Sequence, residues 1–271
     1  MENSDPSPFL LKLGGELLET MESRARVARF AASVAKTRPL VVVHGAGRAI
    51  DVELDRRGIA PKKIDGLRVT DAPTLDAVVA VLAGSANTDL VASFVGAGLP
   101  AVGLTGVDAA FAPAARARAH RTTSGAMVDL GLVGDPARAD TRLIELLLAH
   151  GMVPVIASLG VDEADRSTVL NVNADVMACR IAAGLPAADL VIAGATAGVF
   201  DESGRTIARL DEQGIGEMLA AGSATAGMIA KLTACREALT GGVRSVRIVD
   251  GRALDATFGA AEAPGTEIVR S

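Results

Sequence analysis

The 271-residue sequence contains no tryptophan and no tyrosine, and it has only 6 phenylalanines. Its hydrophobic core must therefore be built from valine, leucine, isoleucine and alanine. The scarcity of aromatic residues argues against a surface on which nucleic-acid bases stack. The formal net charge of −5 gives no basic excess, which argues further against a nucleic acid or an anionic membrane as partner. Any anionic ligand must be bound by a few local cations.

Cysteine is equally scarce: Cys179 and Cys235 are the only two, and neither belongs to a CxxC or metal-ligand pattern. This usage is typical of reduced core thiols in a cytoplasmic protein. The N-terminal stretch MENSDPSPFLLKLGGELLET lacks the basic segment and the long apolar run of a signal peptide. No stretch approaches the ~20 uninterrupted apolar residues that span a bilayer. We therefore expect a soluble, cytoplasmic protein.

What the sequence does contain is a regular alternation of short apolar runs with longer stretches of helical period. The apolar runs predict strands at 9–13, 40–44, 100–104, 126–134, 152–160, 167–175, 190–194, 206–210 and 243–251. Helices are predicted from the glycines at 14–15 to about 36, over 48–58, from an Asp71 N-cap through the 80s, and over 174–184, 211–221 and 226–240. Because the strands are apolar throughout, they indicate an α/β fold with a mostly parallel sheet covered on both faces. The interval 105–125 has no clean period and predicts a loop or small hairpin.

Two predicted strands end in glycine turns that lead into helices, KLGGE at 12–16 and HGAGR at 44–48. A glycine turn at a helix N-terminus offers backbone N–H groups and the positive end of the helix dipole, which together suit an anion. Neither turn has the spacing of a phosphate-binding loop, so each alone could be an ordinary tight turn. Lys12 stands at the strand end beside the first turn, where ligands collect in parallel sheets.

A second lysine has a similar setting, because Lys231 follows Gly227 by one helical turn in AGMIAKLTACREAL. The segment NVNAD, at 171–175, adds two amides and Asp175 at a strand–helix junction. Asparagine and aspartate at such a junction are often only helix caps. Local patterns therefore leave both a phosphate site and a purely structural interpretation open.

Taken together, the motifs resemble those of acetylglutamate kinase, a member of the amino-acid kinase superfamily. The resemblance rests on KLGGE, HGAGR, GLRVTD, VLAGSANTDLVA, VDLGLVG, VPVIASLGV, NVNAD, AGVF, GMIAK, GGVRSVRIVDG and GTEI, which occur in that order. It covers about residues 9–270 and is most specific in GLRVTD, NVNAD and GMxxK. The resemblance implies a three-layer αβα sandwich and ATP-dependent phosphorylation of the γ-carboxylate of N-acetyl-L-glutamate in arginine biosynthesis.

The resemblance also implies a role for each matching position. Lys12 and Lys231 correspond to the lysines that stabilise the transferring phosphoryl group, and Asp175 to the carboxylate that holds them. Arg68 and Asn171 correspond to the residues that bind the amino-acid substrate, in a pocket lined by Ala46 and Gly47. The positions implied for phosphate and nucleotide binding are Gly14, Gly15, Gly45, Ala195, Gly198, Val199, Phe200 and Gly227. Mg²⁺ is expected to arrive with ATP, and no protein ligand to the metal is implied.

At the level of the whole molecule, the resemblance implies an N-terminal lobe, 1–165, that binds the amino acid and forms a homodimer. It implies a C-terminal lobe, 166–271, that binds ATP. The chain begins only a few residues before its first strand. We therefore expect a dimer without the N-terminal helix that accompanies arginine feedback in some members.

Three positions depart from the family pattern. Ala46 replaces the middle residue of a triple-glycine turn and would be penalised at a positive φ. Gly194-Ala195 stands where a Ser/Thr-Asp pair is usual at the nucleotide end, and Val107 replaces a common lysine. Two alternatives therefore stay open: a kinase of a related acyl-amino acid of the N-acetylaminoadipate type, and a catalytically impaired ligand-sensing paralogue.

Overall fold

The computed structural model describes residues 7–117, 120–122, 125–221, 226–254 and 264–270. Its strands are β1 (Phe9–Leu13), β2 (Leu40–His44), β3 (Lys63–Ile64), β4 (Leu67–Arg68), β5 (Ala101–Thr105), β6 (Pro113–Arg116), β7 (His120–Arg121), β8 (Met127–Val128), β9 (Val133–Pro136), β10 (Val153–Ala157), β11 (Leu159–Asp162), β12 (Val169–Val172), β13 (Asp189–Gly194), β14 (Arg209–Leu210), β15 (Ser245–Asp250) and β16 (Gly265–Ile268). Its helices are α1 (Met21–Ala35), α2 (Gly47–Arg56), α3 (Ala72–Val79), α4 (Asn87–Gly96), α5 (Arg142–Ala149), α6 (Ala174–Gly184), α7 (Glu212–Ala221) and α8 (Ala226–Thr240).

An eight-stranded sheet forms the centre, in the order β14-β16-β15-β13-β1-β2-β10-β5. Every pairing in it is parallel except β15 with β16. The central strands are buried on both faces, which explains why their sequences are apolar without alternation. The predicted α/β sandwich with a mostly parallel sheet is confirmed.

Each face of the sheet has its own hydrophobic core. On β1, Leu11 belongs to the core under α1 and α4, whereas Leu10 belongs to the core under α6 and α8. Lys12 follows the same alternation and so lies on the α6 and α8 face. Because β1 sits in the middle of the sheet, its carboxyl end is at the centre of the edge where parallel strands end.

The regions 126–134 and 152–160 each divide in two, so the single strands predicted there are wrong. Gly131, at φ +77°, separates β8 from β9, because extended pairing cannot continue through a left-handed residue. Ser158 separates β10, in the main sheet, from β11, which joins β6, β9 and β12 in a small closed barrel. The polar segment 163–168 is the turn between β11 and β12. The described part of the interval 105–125 supplies β6 and β7 as well as loops, and residues 118–119 and 123–124 lie outside the described residues.

The helix predicted to begin at the first glycine turn is interrupted. A single 3₁₀ turn, Gly15–Leu17, is followed by α1, which begins after a capping box in which Thr20 and Ser23 satisfy each other's backbone N–H groups. Asp71 is the N-cap of α3, as predicted, and its side chain accepts a hydrogen bond from Thr74 N.

Helices α3 and α4 form one run, Ala72–Gly96, joined by the π-helical turn Ala80–Ala86. Within the described residues, this is the one helix long and apolar enough to cross a membrane by length and composition. No membrane span was predicted there from the sequence. Its side chains Val78, Leu90 and Phe94 are fully buried against neighbouring elements, so a core helix accounts for its apolar character.

Candidate active site

The two lysines singled out in the sequence meet on one carboxylate. Lys12 Nζ lies 2.6 Å from Asp175 Oδ1, and Lys231 Nζ lies 3.7 Å from Asp175 Oδ2. Lys12 is on β1, Asp175 on α6 and Lys231 on α8, so three separate elements converge here. All three side chains are at most 17% exposed, which strengthens their interaction relative to a surface ion pair.

Asp175 is held in this place by its position in the first turn of α6. The side chain of Asn173 caps the helix and accepts hydrogen bonds from the backbone N–H groups of Asp175 and Val176. Burial would raise the pKa of Asp175, but the positive charges of Lys12 and Lys231 outweigh burial and lower it below its usual value. The carboxylate is therefore ionised, and the cluster carries a net positive charge that suits an anionic group.

The two glycine turns pack directly against each other beside this cluster. A Cβ atom placed on Gly15 would lie 2.9 Å from both Ala46 Cα and Gly47 N, so only glycine fits at that position. The N–H groups of Gly14 and Gly45 already donate to the carbonyls of Ala193 and Leu13. A phosphate would compete with those carbonyls for the two donors. The start of a helical turn at Gly15 leaves its first N–H groups without intrahelical acceptors.

Ala46 fits its turn because it has a φ of −150° and a ψ of 40° as the N-cap of α2. The penalty anticipated for a methyl group at this position does not arise, since alanine meets resistance only at positive φ. The side chain of Ala46 is buried with Ile50 and Leu54 of α2. The departure from a triple glycine is therefore compatible with the fold.

The second turn borders a cavity of about 200 Å³. The lining includes Ala46 and Gly47 as well as Arg68 and Asn171, the four positions implied for amino-acid binding. Asn171 Nδ2 donates to Thr70 Oγ1 at 3.2 Å, and that hydroxyl donates to the carbonyl of Arg68 at 2.9 Å. These bonds connect β12 to the end of β4 and bring both residues to one pocket.

Arg68 is nearly buried, and one of its terminal nitrogens has no partner. Its Nη2 lies 2.6 Å from Asp51 Oδ1 and donates to the Gly47 carbonyl at 3.1 Å. Within the described residues Nη1 is buried and makes no hydrogen bond. An unsatisfied guanidinium donor beside a cavity is costly unless a ligand satisfies it. A carboxylate is the group whose geometry best matches it.

Asp51 is a site residue that the sequence analysis missed. It lies one helical turn along α2 from Gly47, and its carboxylate also forms an ion pair with Lys63 Nζ at 2.6 Å. Partial burial raises the pKa of Asp51, but the bonds from Lys63 and Arg68 outweigh it, so the pKa is lowered overall. Its only signal in the sequence was a carboxylate in the first turns of the helix after HGAGR.

The residues implied for nucleotide binding lie at the ends of β13 and α8. Gly198, at φ +125°, closely approaches Thr266, whose hydroxyl accepts from Val199 N at 2.8 Å. Phe200 is 43% exposed and forms a bridge to Thr206. Gly227, in the first turn of α8, lies beside Gly66 of the β3–β4 turn, which links the helix of Lys231 to the cavity of Arg68.

Ala195 has two charged neighbours that the sequence analysis did not identify. Its N–H donates to a carboxylate oxygen of Glu16 at 3.0 Å, and its carbonyl accepts from Arg252 Nη2 at 2.9 Å. Arg252 is itself held by Asp250 at 2.7 Å. A carboxylate therefore does stand next to Gly194-Ala195, but the turn after β1 supplies it. No motif linked these positions, because they are far apart in the chain.

Comparison with known proteins is consistent with this geometry. A sequence model of the amino acid kinase family matches residues 7–250. An acetylglutamate kinase from Symbiobacterium thermophilum is 41% identical over 215 residues, which is 78% of this chain and 73% of that protein. An acetylglutamate kinase from Koribacter versatilis is 38% identical over 265 residues, which is 96% of this chain and 98% of that protein.

Solved structures share the fold. An N-acetylglutamate synthase from Neisseria gonorrhoeae, complexed with coenzyme A and N-acetyl-glutamate, superposes with a TM-score of 0.82 at 24% identity, over 98% of this chain and 60% of that one. A Streptococcus mutans UA159 protein gives a TM-score of 0.78 at 26% identity, over 97% of this chain and 98% of that one. From the family match and the curated relatives, the chain belongs to the amino acid kinase family and, within it, to the acetylglutamate kinases.

Proposed function

We propose that this enzyme transfers the γ-phosphoryl group of ATP to the γ-carboxylate of N-acetyl-L-glutamate and so forms N-acetylglutamyl 5-phosphate. The observation that carries the proposal is the pair Lys12 and Lys231 on Asp175, next to a cavity with an unsatisfied guanidinium nitrogen on Arg68. The product is an activated acid that a later reductive step of arginine biosynthesis could use.

The acceptor needs no general base. A glutamate γ-carboxylate has a pKa of ~4.3 and is already ionised at neutral pH. Phosphoryl transfer then depends on in-line positioning and on positive charge around the migrating phosphorus. Lys12 and Lys231 supply two ammonium groups, one beside each carboxylate oxygen of Asp175. Asp175 keeps them in place before substrate arrives, so little reorganisation is needed in the transition state.

Arg68 is proposed to bind the α-carboxylate of the amino acid through the free Nη1 and the planar fork of its guanidinium. Asp51 holds the other side of that group and limits its rotation. Asn171 is proposed to bind a polar group of the substrate, with Ala46 and Gly47 forming the wall of the pocket. The size of the cavity, about 200 Å³, suits a small acyl-amino acid.

ATP is proposed to bind along Gly14, Gly15, Gly45, Ala195, Gly198, Val199, Phe200 and Gly227. When bound, Mg²⁺ would neutralise phosphate charge. Among the described residues no three His, Cys, Asp or Glu side chains cluster as a metal site. Asp175 is occupied by two lysines, so the phosphate oxygens and water would be the principal ligands of the ion.

At the level of the whole molecule we propose an amino-acid lobe, 1–165, and a nucleotide lobe, 166–271, in a cytoplasmic homodimer. Within the described part of the chain β5 is an edge strand, and together with the exposed side chains of Val95 and Leu146 on the flanking helices it supports an interface at that side. Light scattering on the purified protein should give twice the 27.5 kDa chain mass. A measured mass of 27.5 kDa, that of a single chain, would contradict the dimer.

Hydroxylamine trapping of the acyl phosphate tests the activity directly. With ATP, Mg²⁺ and N-acetyl-L-glutamate, we expect a hydroxamate that forms in proportion to enzyme. N-acetyl-L-aminoadipate in the same assay tests the related acyl-amino acid. Calorimetric binding of N-acetyl-L-glutamate without any hydroxamate would favour the sensing paralogue, a candidate suggested by Gly194-Ala195.

A further inference from the structure

A buried polar pair, His44 and Asn87, lies under the Gly45–Gly47 turn on the face of the sheet opposite Lys12. His44 is the last residue of β2 and is fully buried. Asn87 is the first residue of α4, directly after the π-helical turn, and is 6% exposed. Asn87 Nδ2 lies 3.0 Å from His44 Nε2 and donates to the Val155 carbonyl at 2.9 Å.

These distances point to one position for the proton of His44. An NH₂ group has two hydrogens to donate, and Asn87 Nδ2 faces two groups, the Val155 carbonyl and His44 Nε2. Because the Val155 carbonyl can only accept, Asn87 Nδ2 is a donor, and its 3.0 Å contact with Nε2 favours an unprotonated Nε2 and a neutral ring with its hydrogen on Nδ1. That nitrogen lies 3.4 Å from the carbonyl oxygen of Gly45, the first residue of the turn.

The amide of Asn87 is locked by its surroundings. Its Oδ1 lies 2.2 Å from the point where a Cβ on Gly103 would stand, so any side chain there would displace it. Gly103 is paired with Val155 in the register of β5 and β10. The side chain of Asn87 therefore bridges β5, β10 and β2 from above. The π-helical turn before it marks an irregularity of the kind that is frequent at functional sites.

Among the described residues, no charged side chain forms an ion pair with His44. Burial lowers its pKa to about 4, and the contact with Gly45 acts in the opposite direction. The residues paired with His44 in the neighbouring strands β1 and β10 are Leu13 and Ala157. Several charged groups of the elements around β2 are paired with other residues: Lys12 with Asp175 on the other face, Arg24 with Asp89, Glu16 with Ala195, Arg48 with Glu19, and Asp51 with Lys63 and Arg68.

His44 can transmit its position to the site because the backbone of the turn begins at the next residue. Gly45 N–H donates to the Leu13 carbonyl, and the Ala46–Gly47 peptide touches Gly15 of the neighbouring turn. A tilt of the ring would thus move both turns together. Displacements on the order of 1 Å at a reacting centre can cost about 100-fold in rate.

We propose that His44 and Asn87 are positioning residues for phosphoryl transfer: the Asn87 amide holds the His44 ring as the neutral Nδ1–H tautomer, and the ring fixes the Gly45–Gly47 turn. The pair makes no contact with either lysine. Because the turn matters through the proposed kinase activity, the inference rests on that function.

The first test is spectroscopic and needs no activity. In ¹⁵N-histidine-labelled protein, His44, assigned by its loss in His44→Gln, should show a protonated Nδ1 and an unprotonated Nε2 from pH 8 to pH 5.5. Asn87→Asp should place a carboxylate against Nε2 and raise the pKa of His44, so that the ring becomes doubly protonated. An Nε2–H tautomer in the wild type, or an unchanged ring in Asn87→Asp, would overturn the inference.

The second test is kinetic and compares two neutral replacements. His44→Gln retains an acceptor for Asn87, whereas His44→Leu fills the space without one. We expect kcat of the leucine variant to be at least about 10-fold below that of the glutamine variant, with KM values within about 3-fold of each other. Equal kcat values in two folded variants would refute a positioning role. Asn87→Asp should lower kcat at neutral pH and make kcat depend on pH, because the ring of His44 is then protonated. Adding His44→Gln to that variant should remove this pH dependence of kcat.

The two hypotheses fail differently. If the wild type forms no hydroxamate, the proposed function is lost but the tautomer measurement still stands. If the wild type is active and the paired variants do not differ in kcat, only the positioning role is lost. His150→Gln, at an exposed histidine that contacts its own helix at Leu146, is the matched control for labelling and kinetics.

Discussion

At the scale of single residues, the site depends on charges held before any substrate is present. Asp175 pairs with Lys12 and Lys231, and Asp51 pairs with Arg68. Each cation is therefore oriented by an ion pair and still has N–H donors available for a ligand. Removing one member leaves a partly buried charge without its partner, which costs more than a surface pair would. Substitutions here should therefore separate binding from turnover.

Replacing Lys231 with alanine should lower kcat by about 10²- to 10³-fold, because its ammonium group is proposed to stabilise charge that develops only in the transition state. KM for both substrates should change little. Steady-state hydroxamate kinetics provide the measurement. Lys62→Ala, at an exposed lysine outside the site, serves as control. A variant with unchanged kcat would remove Lys231 from the mechanism.

Arg68→Ala should raise the dissociation constant of N-acetyl-L-glutamate by roughly 10- to 100-fold, since a charge-assisted hydrogen bond is lost. Arg68→Lys should recover only part of this loss, because a single ammonium cannot reproduce the planar fork. Calorimetry with the amino acid alone measures both values. Arg57→Ala removes a surface pair with Glu53 and is the control. Normal affinity in Arg68→Ala would show that the pocket has been misassigned.

At the scale of elements, the predictable parts are those whose signal is local. The strands β1, β2 and β13 and the helices α6 and α8 agree with the apolar runs and helical periods, because burial on both faces leaves a direct trace in the sequence. The interruptions at Gly131, between β8 and β9, and at Ser158, between β10 and β11, were not apparent from the apolar runs. They depend on where the barrel strands find partners, which is a property of tertiary structure.

The same distinction holds for the site. Lys12, Arg68 and Asp175 stand in motifs and were identified in the sequence. Asp51 and Glu16 are brought to the site by packing between turns that are distant in the chain, so no spacing rule reveals them. The roles of the motif residues came from family resemblance, whereas their convergence could be seen only in three dimensions.

Gly15→Ala tests the contact between the two glycine turns. Its added methyl group would lie 2.9 Å from the backbone of Ala46 and Gly47, which cannot move as a flexible side chain does. We expect lower kcat together with a loss of stability on the order of 1–3 kcal/mol. Gly216→Ala, in α7 with no atom within 4 Å of the added group, should be neutral or stabilising. Thermal unfolding and kinetics compare them, and equal behaviour would disprove the close contact.

At the scale of the whole molecule, stability should depend on pH through His44. Its pKa is about 4 when folded and 6.5 in the ordinary state, so the unfolded chain binds the proton more tightly between those values. The free energy of unfolding should therefore fall as pH falls from 6.5 to 4, by about 3 kcal/mol in total. The depressed pKa of Asp175 contributes only at lower pH, below 3.8.

Urea unfolding at several pH values measures this slope. Far-UV circular dichroism is the suitable probe, because the chain has no tryptophan or tyrosine. His44→Gln should flatten the dependence, while His150→Gln should retain it. If the free energy of unfolding of the His44→Gln variant falls equally steeply with pH, other groups cause the pH dependence.

The sheet order also has a consequence for the newly made chain. Lys12 and Asp175 leave the ribosome well before α8, and β15, which pairs with β13 beside them, emerges after α8. A translation intermediate that ends before residue 226 therefore lacks one of the two ammonium groups. If Lys231 acts in phosphoryl transfer as proposed, such an intermediate should form no hydroxamate, and activity should arise only in chains that include α8.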